Sequence, residues 1–381
     1  MLMTIVEIIF WFSVFMVFYA YFGYPIVLLI LSWFRNQTVK KGDITPSVSF
    51  IIAAYNEEKL IGQKIENALT QDYPKDRFEV IVASDCSSDR TDEIVRSYQP
   101  KGVKLVRAPE RKGKENAQKC AVDVALGEIL VFSDVATILD VTGVRNIVKS
   151  FNDPVVGCVS SEDRFIDTEG NISGEGVYVK YEMLLRQVET RVSTLVGLSG
   201  SFFAARKAVC HCWAIDVPSD FNILLNTVKM GLRGVSDPSS VGNYRNILNE
   251  TDEFDRKVRT VLRGITVLMR NLAVLNPLKY GLFAWQVFSH KLCRWLVPFW
   301  LVLAFFSNLF LISRSMFYSG LFMIQVCFFG LALLPVYWKS LSMSRLGRIA
   351  GFFVVTNTSI CRAWLDYIVG RRMVKWNPSK R

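Results

Sequence analysis

Three acidic clusters recur along the first third of the chain, each directly after a short apolar run. Ala54-Tyr-Asn-Glu-Glu58 follows VSFIIA, Ser84-Asp-Cys-Ser-Ser-Asp89 follows FEVIVA, and Ser133-Asp-Val-Ala-Thr137 follows ILVF. Carboxylates aimed at one crevice repel one another unless a cation or a hydroxyl-rich ligand occupies it. Between the second and third clusters lies Arg111-Lys-Gly-Lys114, at the start of a helical pattern. Basic side chains beside a helix amino terminus suit a diphosphate. Carboxylates, a metal ion and a diphosphate together describe a nucleotide-sugar site. Read singly, Asp89 or Asp92 serves equally well as a helix cap, and the basic cluster as a solvated turn.

The elements that must position these residues alternate. Strands are expected over Val48–Ala53, Phe78–Ala83, Val103–Arg107 and Ile129–Phe132, and helices over Glu57–Thr70, Asp92–Tyr98 and Lys114–Ala125. Such alternation predicts a mainly parallel sheet with helices on both faces, binding ligands at the carboxyl ends of its strands. Farther along, Gly197-Leu-Ser-Gly-Ser-Phe202 carries two glycines that allow close backbone approach, or simply a tight turn before a strand. Val217-Pro-Ser-Asp220 opens a helix over Phe221–Met230, where Ser219 or Asp220 suits a cap.

The chain has 381 residues, a net charge of +11 and 51% hydrophobic residues. That composition excludes a disordered chain. Ile5–Phe34 is apolar apart from Glu7, and apolar runs return at Trp295–Ile312 and Met316–Trp338. Each approaches or exceeds the roughly 20 residues that cross a bilayer. Ile5–Phe34 lacks the basic n-region and small-residue cleavage site of a secretory signal. Arg35, Lys40 and Lys41 follow it, which predicts an outer amino terminus and a cytoplasmic domain.

Val258, Leu262, Ile265, Met269 and Leu272 repeat at helical spacing opposite Arg256, Arg259, Arg263 and Arg270, as in a basic interfacial helix. Trp285, Phe288, Leu292 and Trp295 predict a second one. Leu346–Gly370, with Asn357, Arg362 and Asp366, reads as an interfacial or re-entrant helix, or as a further span. The basic charge clusters beside the apolar runs and no nucleic-acid motif is present, so no nucleic-acid partner is expected. The eight cysteines show no disulfide framework, and Cys210-His-Cys212 lacks a second ligand cluster to make a metal site. The triplets at Asn171, Asn249 and Asn357 match the glycosylation pattern, which carries no weight in a cytoplasmic domain.

Together these segments resemble the membrane-embedded family 2 glycosyltransferases, the group of the cellulose, hyaluronan and chitin-oligosaccharide synthases. The resemblance runs from the first apolar span to Trp376-Asn-Pro-Ser-Lys-Arg381. It implies a glycosyltransferase A-type, Rossmann-like α/β domain with transmembrane and interfacial helices. Tyr55, Glu57 and Asp85 would hold the nucleotide, and Arg111 and Lys114 the donor phosphates. Asp134 would hold Mg²⁺ or Mn²⁺, although Ala136 stands where the family's second aspartate belongs. Gly197, Ser199, Gly200 and Phe202 would face the acceptor, and Asp220 would be the general base. The processive synthases carry Gln-x-x-Arg-Trp. Here Arg259 matches the arginine, on the donor side, while Arg256 replaces the glutamine and Thr260 the tryptophan. Without that aromatic ring a stacking surface for a long saccharide is lacking.

The expected organisation is a first span and linker (1–40), a cytoplasmic glycosyltransferase domain (41–255), amphipathic interfacial helices (256–294), and carboxyl-terminal spans with a basic tail (295–381). The implied reaction is inverting and metal-dependent. It carries a sugar from a nucleotide diphosphate, uridine-linked by preference, to a growing polysaccharide or a lipid-linked saccharide at the inner membrane. The bilayer is a partner, with a secretion protein or a second copy of the chain as further ones. Two alternatives stand beside it: a single-addition transferase acting on a lipid-linked acceptor, and a catalytically silent subunit of a secretion complex.

Overall fold

The computed structural model describes residues 1–166, 177–245, 250–337 and 345–373. The triplets at Asn171 and Asn249 and the residues from Trp376 onward lie outside them. The chain divides into two compact units. One comprises Met1–Val27, Asn249–Ile265 and Val287–Arg372, and the other Leu28–Leu248, Thr266–Gln286 and Met373–Arg381.

In the first unit, α1 (Leu2–Phe18) runs through a π turn into α2 (Tyr24–Phe34), and the helical stretch continues into the second unit. Its lone carboxylate, Glu7, is paired with Arg314 at 3.0 Å and with the Tyr318 hydroxyl. That pairing reduces the cost of a charge in an apolar helix.

The second unit holds an eight-stranded mixed sheet. Its strands are β1 (Val48–Ala54), β2 (Phe78–Ser84), β3 (Val103–Arg107), β4 (Ile129–Asp134), β5 (Ile138–Leu139), β6 (Val156–Ile166), β7 (Phe202–Arg206) and β8 (Arg233–Arg245). The spatial order is β3-β2-β1-β4-β7-β6-β8-β5. β1 through β4 are parallel neighbours, as the alternation predicts. All seven residues of β1 are buried, as in a strand covered on both faces. Beyond β4 the expectation of a mainly parallel sheet fails. β7 runs antiparallel to β4 and to β6, and only the β6–β8 pair is again parallel. The reversal at β7 brings the segment ending at Ser201 back to the carboxyl end of β4, where the Asp134 amide donates to the Ser201 carbonyl at 3.0 Å.

The helices of this unit are α3 (Ile61–Leu69), α4 (Thr91–Ser97), α5 (Lys114–Val124), α6 (Gly143–Lys149), α7 (Val177–Val192) and α8 (Ser219–Lys229). α3 starts four residues later than the sequence suggests, because Glu57–Leu60 forms a turn closed by the Glu57 carbonyl. Two basic residues used as a topology signal are engaged within this unit. Arg35 donates to the Val192 carbonyl at 2.9 Å, and Lys41 pairs with the buried Asp237 at 2.7 Å.

Of the remaining helices, α9 (Glu250–Arg270) buries Val258, Leu262, Ile265 and Leu268. α10 (Pro277–Val287), a π turn and α11 (Arg294–Leu311) form one helical run, so Trp285–Trp295 is not the separate interfacial helix expected. Its stripe of aromatic residues matches a span face as well as an interfacial one. α12 (Met316–Tyr337) and α13 (Arg345–Ile368) complete the chain. In α13, Asp366 pairs with Arg362 and Arg371 at 3.3 and 3.2 Å, and Trp364 donates to the Trp295 carbonyl at 2.8 Å. Asn357, in the third glycosylation-like triplet, is buried there. Among the described residues, Leu2–Phe34 and Pro277–Arg314 are long and apolar enough to cross a membrane. Met316–Leu331 is apolar but shorter.

Candidate active site

The site lies at the carboxyl ends of β1, β2 and β4. Residues after β1 and β2 are sewn together there. The Asn56 amide donates to Ser87 Oγ (3.2 Å), the Glu57 amide to Thr91 Oγ1 (2.8 Å), and the Glu58 amide to Asp89 Oδ2 (3.0 Å). Asn56 and Cys86 adopt positive φ angles of 53° and 57°, a conformation more usual for glycine. Both turns lie at the carboxyl ends of neighbouring strands. Asp89 is therefore a loop tie as well as a candidate cap.

Asp85 is 1% exposed, and its carboxylate accepts hydrogen bonds from the backbone amides of Lys112 (3.1 Å) and Gly113 (2.9 Å). It therefore shapes the basic turn. Gly113 has φ of 108°, which a side chain would strain, and directly precedes α5. On the far side of the turn the Arg111 guanidinium lies 3.8 Å from the centroid of the Tyr55 ring. The stacking joins the turn after β1 to the basic turn before α5.

Lys114 opens α5 and reaches across the sheet end. Its Nζ lies 2.5 Å from Asp134 Oδ1 and donates to the Gly200 carbonyl at 2.9 Å. Gly200 is exposed, and a β-carbon added to it would lie 3.2 Å from Asp220 Oδ2. Asp220 Oδ1 accepts from the adjacent Phe221 amide at 2.8 Å in the first turn of α8, so one oxygen is held by the backbone and the other faces Gly200; the N-cap position is Pro218, not Ser219 or Asp220. The structure thus brings Lys114, Asp134, Gly200 and Asp220 to one place.

The other acceptor-side residues behave differently. Phe202 is fully buried in the sheet core, so its ring is not a ligand surface. Ser199 is also buried, and its hydroxyl donates to Asp163 Oδ1 at 2.6 Å, beside a 2.7 Å bond from Ser201 Oγ. Both are corrections: Ser199 and Phe202 shape the loop, and Gly200 presents it. Gly197 lies in the same loop. Arg259 belongs to the stretch of α9 in the other unit, where burial and the neighbouring Arg263 and Arg256 lower its pKa.

Sequence reasoning missed two residues. Asp163, on β6, anchors the acceptor-side loop. Lys64, on α3, has its side chain wholly buried, donating to Ser133 Oγ (2.8 Å) and to the Thr137 carbonyl (2.5 Å). Burial pushes its pKa down to about 7, against an opposing pull from Asp134. Its signal was available: Ile61, Ile65 and Ala68 form the core face of α3, and Lys64 stands on that same face.

Of the two carboxylates expected for a divalent ion, the chain has only that of Asp134. Ala136 supplies none, and among the described residues no three His, Cys, Asp or Glu side chains gather to hold a metal. Mg²⁺ and Mn²⁺ take many ligands from phosphates and water. The donor set therefore fits an ion completed by a bound diphosphate, provided Lys114 yields its place on Asp134. In the Cys210-His-Cys212 segment, Cys210 is buried and Cys212 exposed.

Residues 49–213 match the family model described as Glycosyl transferase family 2. The probable glycosyltransferase YdaM of Bacillus subtilis (strain 168) is 28% identical over 173 residues, covering 43% of this chain and 41% of that protein. A poly-beta-1,6-N-acetyl-D-glucosamine synthase of Staphylococcus aureus (strain COL) is 29% identical over 184 residues, covering 46% and 44%. The matches thus span less than half the length of these curated relatives. The fold is similar to that of the mannosyltransferase PcManGT from Pyrobaculum calidifontis, solved in complex with GDP-Man and Mn²⁺. The TM-score is 0.74 at 20% identity, over 95% of this chain and 99% of that one. Residues 49–213 are thus similar to a family 2 glycosyltransferase domain, and the fold is a mixed α/β fold like that of the glycosyltransferase A type.

Proposed function

We propose that the chain is an inverting glycosyltransferase taking a sugar from a nucleotide-diphosphate donor, uridine-linked, to a saccharide or lipid-linked acceptor at the cytoplasmic membrane face. One observation carries the reading. Lys114 bridges Asp134 and the Gly200 carbonyl, and Gly200 stands against Asp220. A group for the donor phosphates, a carboxylate for an ion and a carboxylate for a proton, from three different elements, thus converge around Gly200.

In this reading Tyr55, Glu57 and Asp85 form the nucleotide side, with Asp85 also holding the basic turn. Arg111 and Lys114 receive the diphosphate, offsetting the charge that grows on it as the sugar–oxygen bond breaks. Asp220 takes the proton from the acceptor hydroxyl while that oxygen attacks the anomeric carbon from the face opposite the leaving group. The Gly200 backbone leaves room for the acceptor beside Asp220. A divalent ion on Asp134 would add charge stabilisation at the diphosphate. The apolar helices support attachment to a bilayer, with a secretion protein or a second copy as a further partner.

Thr260, in place of the synthases' tryptophan, favours addition of one or a few sugars to a lipid-linked acceptor. A silent subunit is the less favoured reading, because Lys114, Asp134 and Asp220 are all in place. The test is incubation of the purified chain with a panel of nucleotide sugars and lipid extract, followed by mass analysis. Release of nucleotide diphosphate with a glycosylated product is expected. Absence of release with every donor would favour the silent subunit.

A further inference from the structure

The Ser133–Thr137 turn carries the only carboxylate assigned to the ion, and it lies over a lysine that the family resemblance does not use. Lys64 is 0% exposed. It grips the turn on both sides of Asp134, through Ser133 Oγ before it and the Thr137 carbonyl after it. The turn is closed by the Thr137 amide donating to the Asp134 carbonyl at 3.2 Å. The Phe50 ring centroid lies 5.2 Å from the ammonium, and the Thr137 hydroxyl is buried without a hydrogen-bond partner. An ammonium sunk in this setting is costly, and it persists where its hydrogen bonds fix something that apolar packing cannot.

We infer that Lys64 is a positioning residue for the ion-binding turn. With Ala136 in place of a second carboxylate, the direction of the Asp134 side chain must be set from beneath, and Lys64 does this by tying down the residues on either side. Lys114 then meets Asp134 from the ligand side and Lys64 holds it from the core side. When a donor and its ion draw Lys114 away, the turn keeps its shape because Lys64 stays. The inference rests on Asp134 being the ion's ligand.

The test compares wild type with Lys64→Met, which keeps the length of the side chain and removes the donors, and Lys64→Gln, which keeps an N–H. The full chain is held in lipid nanodiscs. Binding of uridine and guanosine diphosphates is titrated with and without Mn²⁺, and hydrogen exchange is followed for the Phe132–Leu139 peptide in metal-free protein. For the methionine variant we expect at least tenfold more Mn²⁺ for half-maximal nucleotide binding, metal-free nucleotide binding within twofold of wild type, and faster exchange in the peptide. The glutamine variant should fall between. Equal Mn²⁺ requirements in the methionine variant and wild type would overturn the inference, as would equal losses with and without the ion, which mark a merely structural role. Should the methionine variant fail to fold, Ser133→Ala gives the same comparison by removing one of the two partners. A wild type indifferent to Mn²⁺ would instead overturn the reading of Asp134.

Discussion

Gly200 faces Asp220 so closely that a β-carbon on it would lie 3.2 Å from Asp220 Oδ2. The same glycine's carbonyl receives the Lys114 ammonium. A methyl there fits only if the carboxylate gives way by a few tenths of an ångström, and small displacements at reacting groups are costly. Gly200→Ala should therefore lower turnover roughly tenfold or more, while nucleotide binding and the thermal midpoint stay near wild type. Steady-state rates beside differential scanning would check this, and unchanged turnover would mean the acceptor lies elsewhere.

Lys114 is engaged with Asp134 and Gly200 before any donor arrives. Lys114→Met removes a cation from the leaving diphosphate and should reduce kcat by about 10²-fold. The loss should appear with every donor accepted by wild type. A variant that weakens donor binding and leaves kcat intact would make Lys114 a docking residue only.

Lys64 also carries a pH signature. Burial lowers its pKa in the folded chain from 10.5 to about 7. Between those values the unfolded chain binds a proton that the folded chain does not, so Lys64 makes stability rise with pH. Below about 7 the charge is present in both states and the dependence ends. The thermal midpoint of wild type minus that of Lys64→Met should increase from pH 7 to pH 9, and a flat difference would refute the shift.

The thiols separate by burial. Burial pushes Cys158 up to about 12 and raises Cys210 further still. Thiolate is the reactive form. Iodoacetamide at pH 8 should label Cys212, which is exposed, and leave Cys158 and Cys210 intact in the native chain. Peptide mapping reads this directly. Labelling of Cys158 ahead of unfolding would show that β6 opens.

The parallel half of the sheet was legible because its strands are short apolar runs bounded by polar turns. β1 through β4 each fall within two residues of their expected ends. The antiparallel half was hidden. β8 reads Arg-Gly-Val-Ser-Asp-Pro-Ser-Ser-Val-Gly-Asn-Tyr-Arg, a polar stretch with a proline, and long-range pairing with β6 makes it a strand. Tertiary partners override local propensity in such cases. Asp134, Lys114 and Asp220 stood out by motif. Phe202 was misassigned because a motif position does not reveal which way a side chain points. Asp163 carries no local signal, since its role depends on Ser199 and Ser201, more than thirty residues away. The Trp285 stripe repeats at a spacing shared by spans and interfacial helices, so helix continuity had to decide.

The central claim is that Asp220 is the base. The most direct measurement is single-turnover transfer by Asp220→Asn, with donor binding followed in parallel on the same preparation. Asparagine keeps the shape and an oxygen for the Phe221 amide, but cannot take up the proton. The account requires donor binding close to wild type and transfer slowed by about 10²–10⁴-fold. A variant that binds donor and retains more than half of wild-type turnover would contradict it.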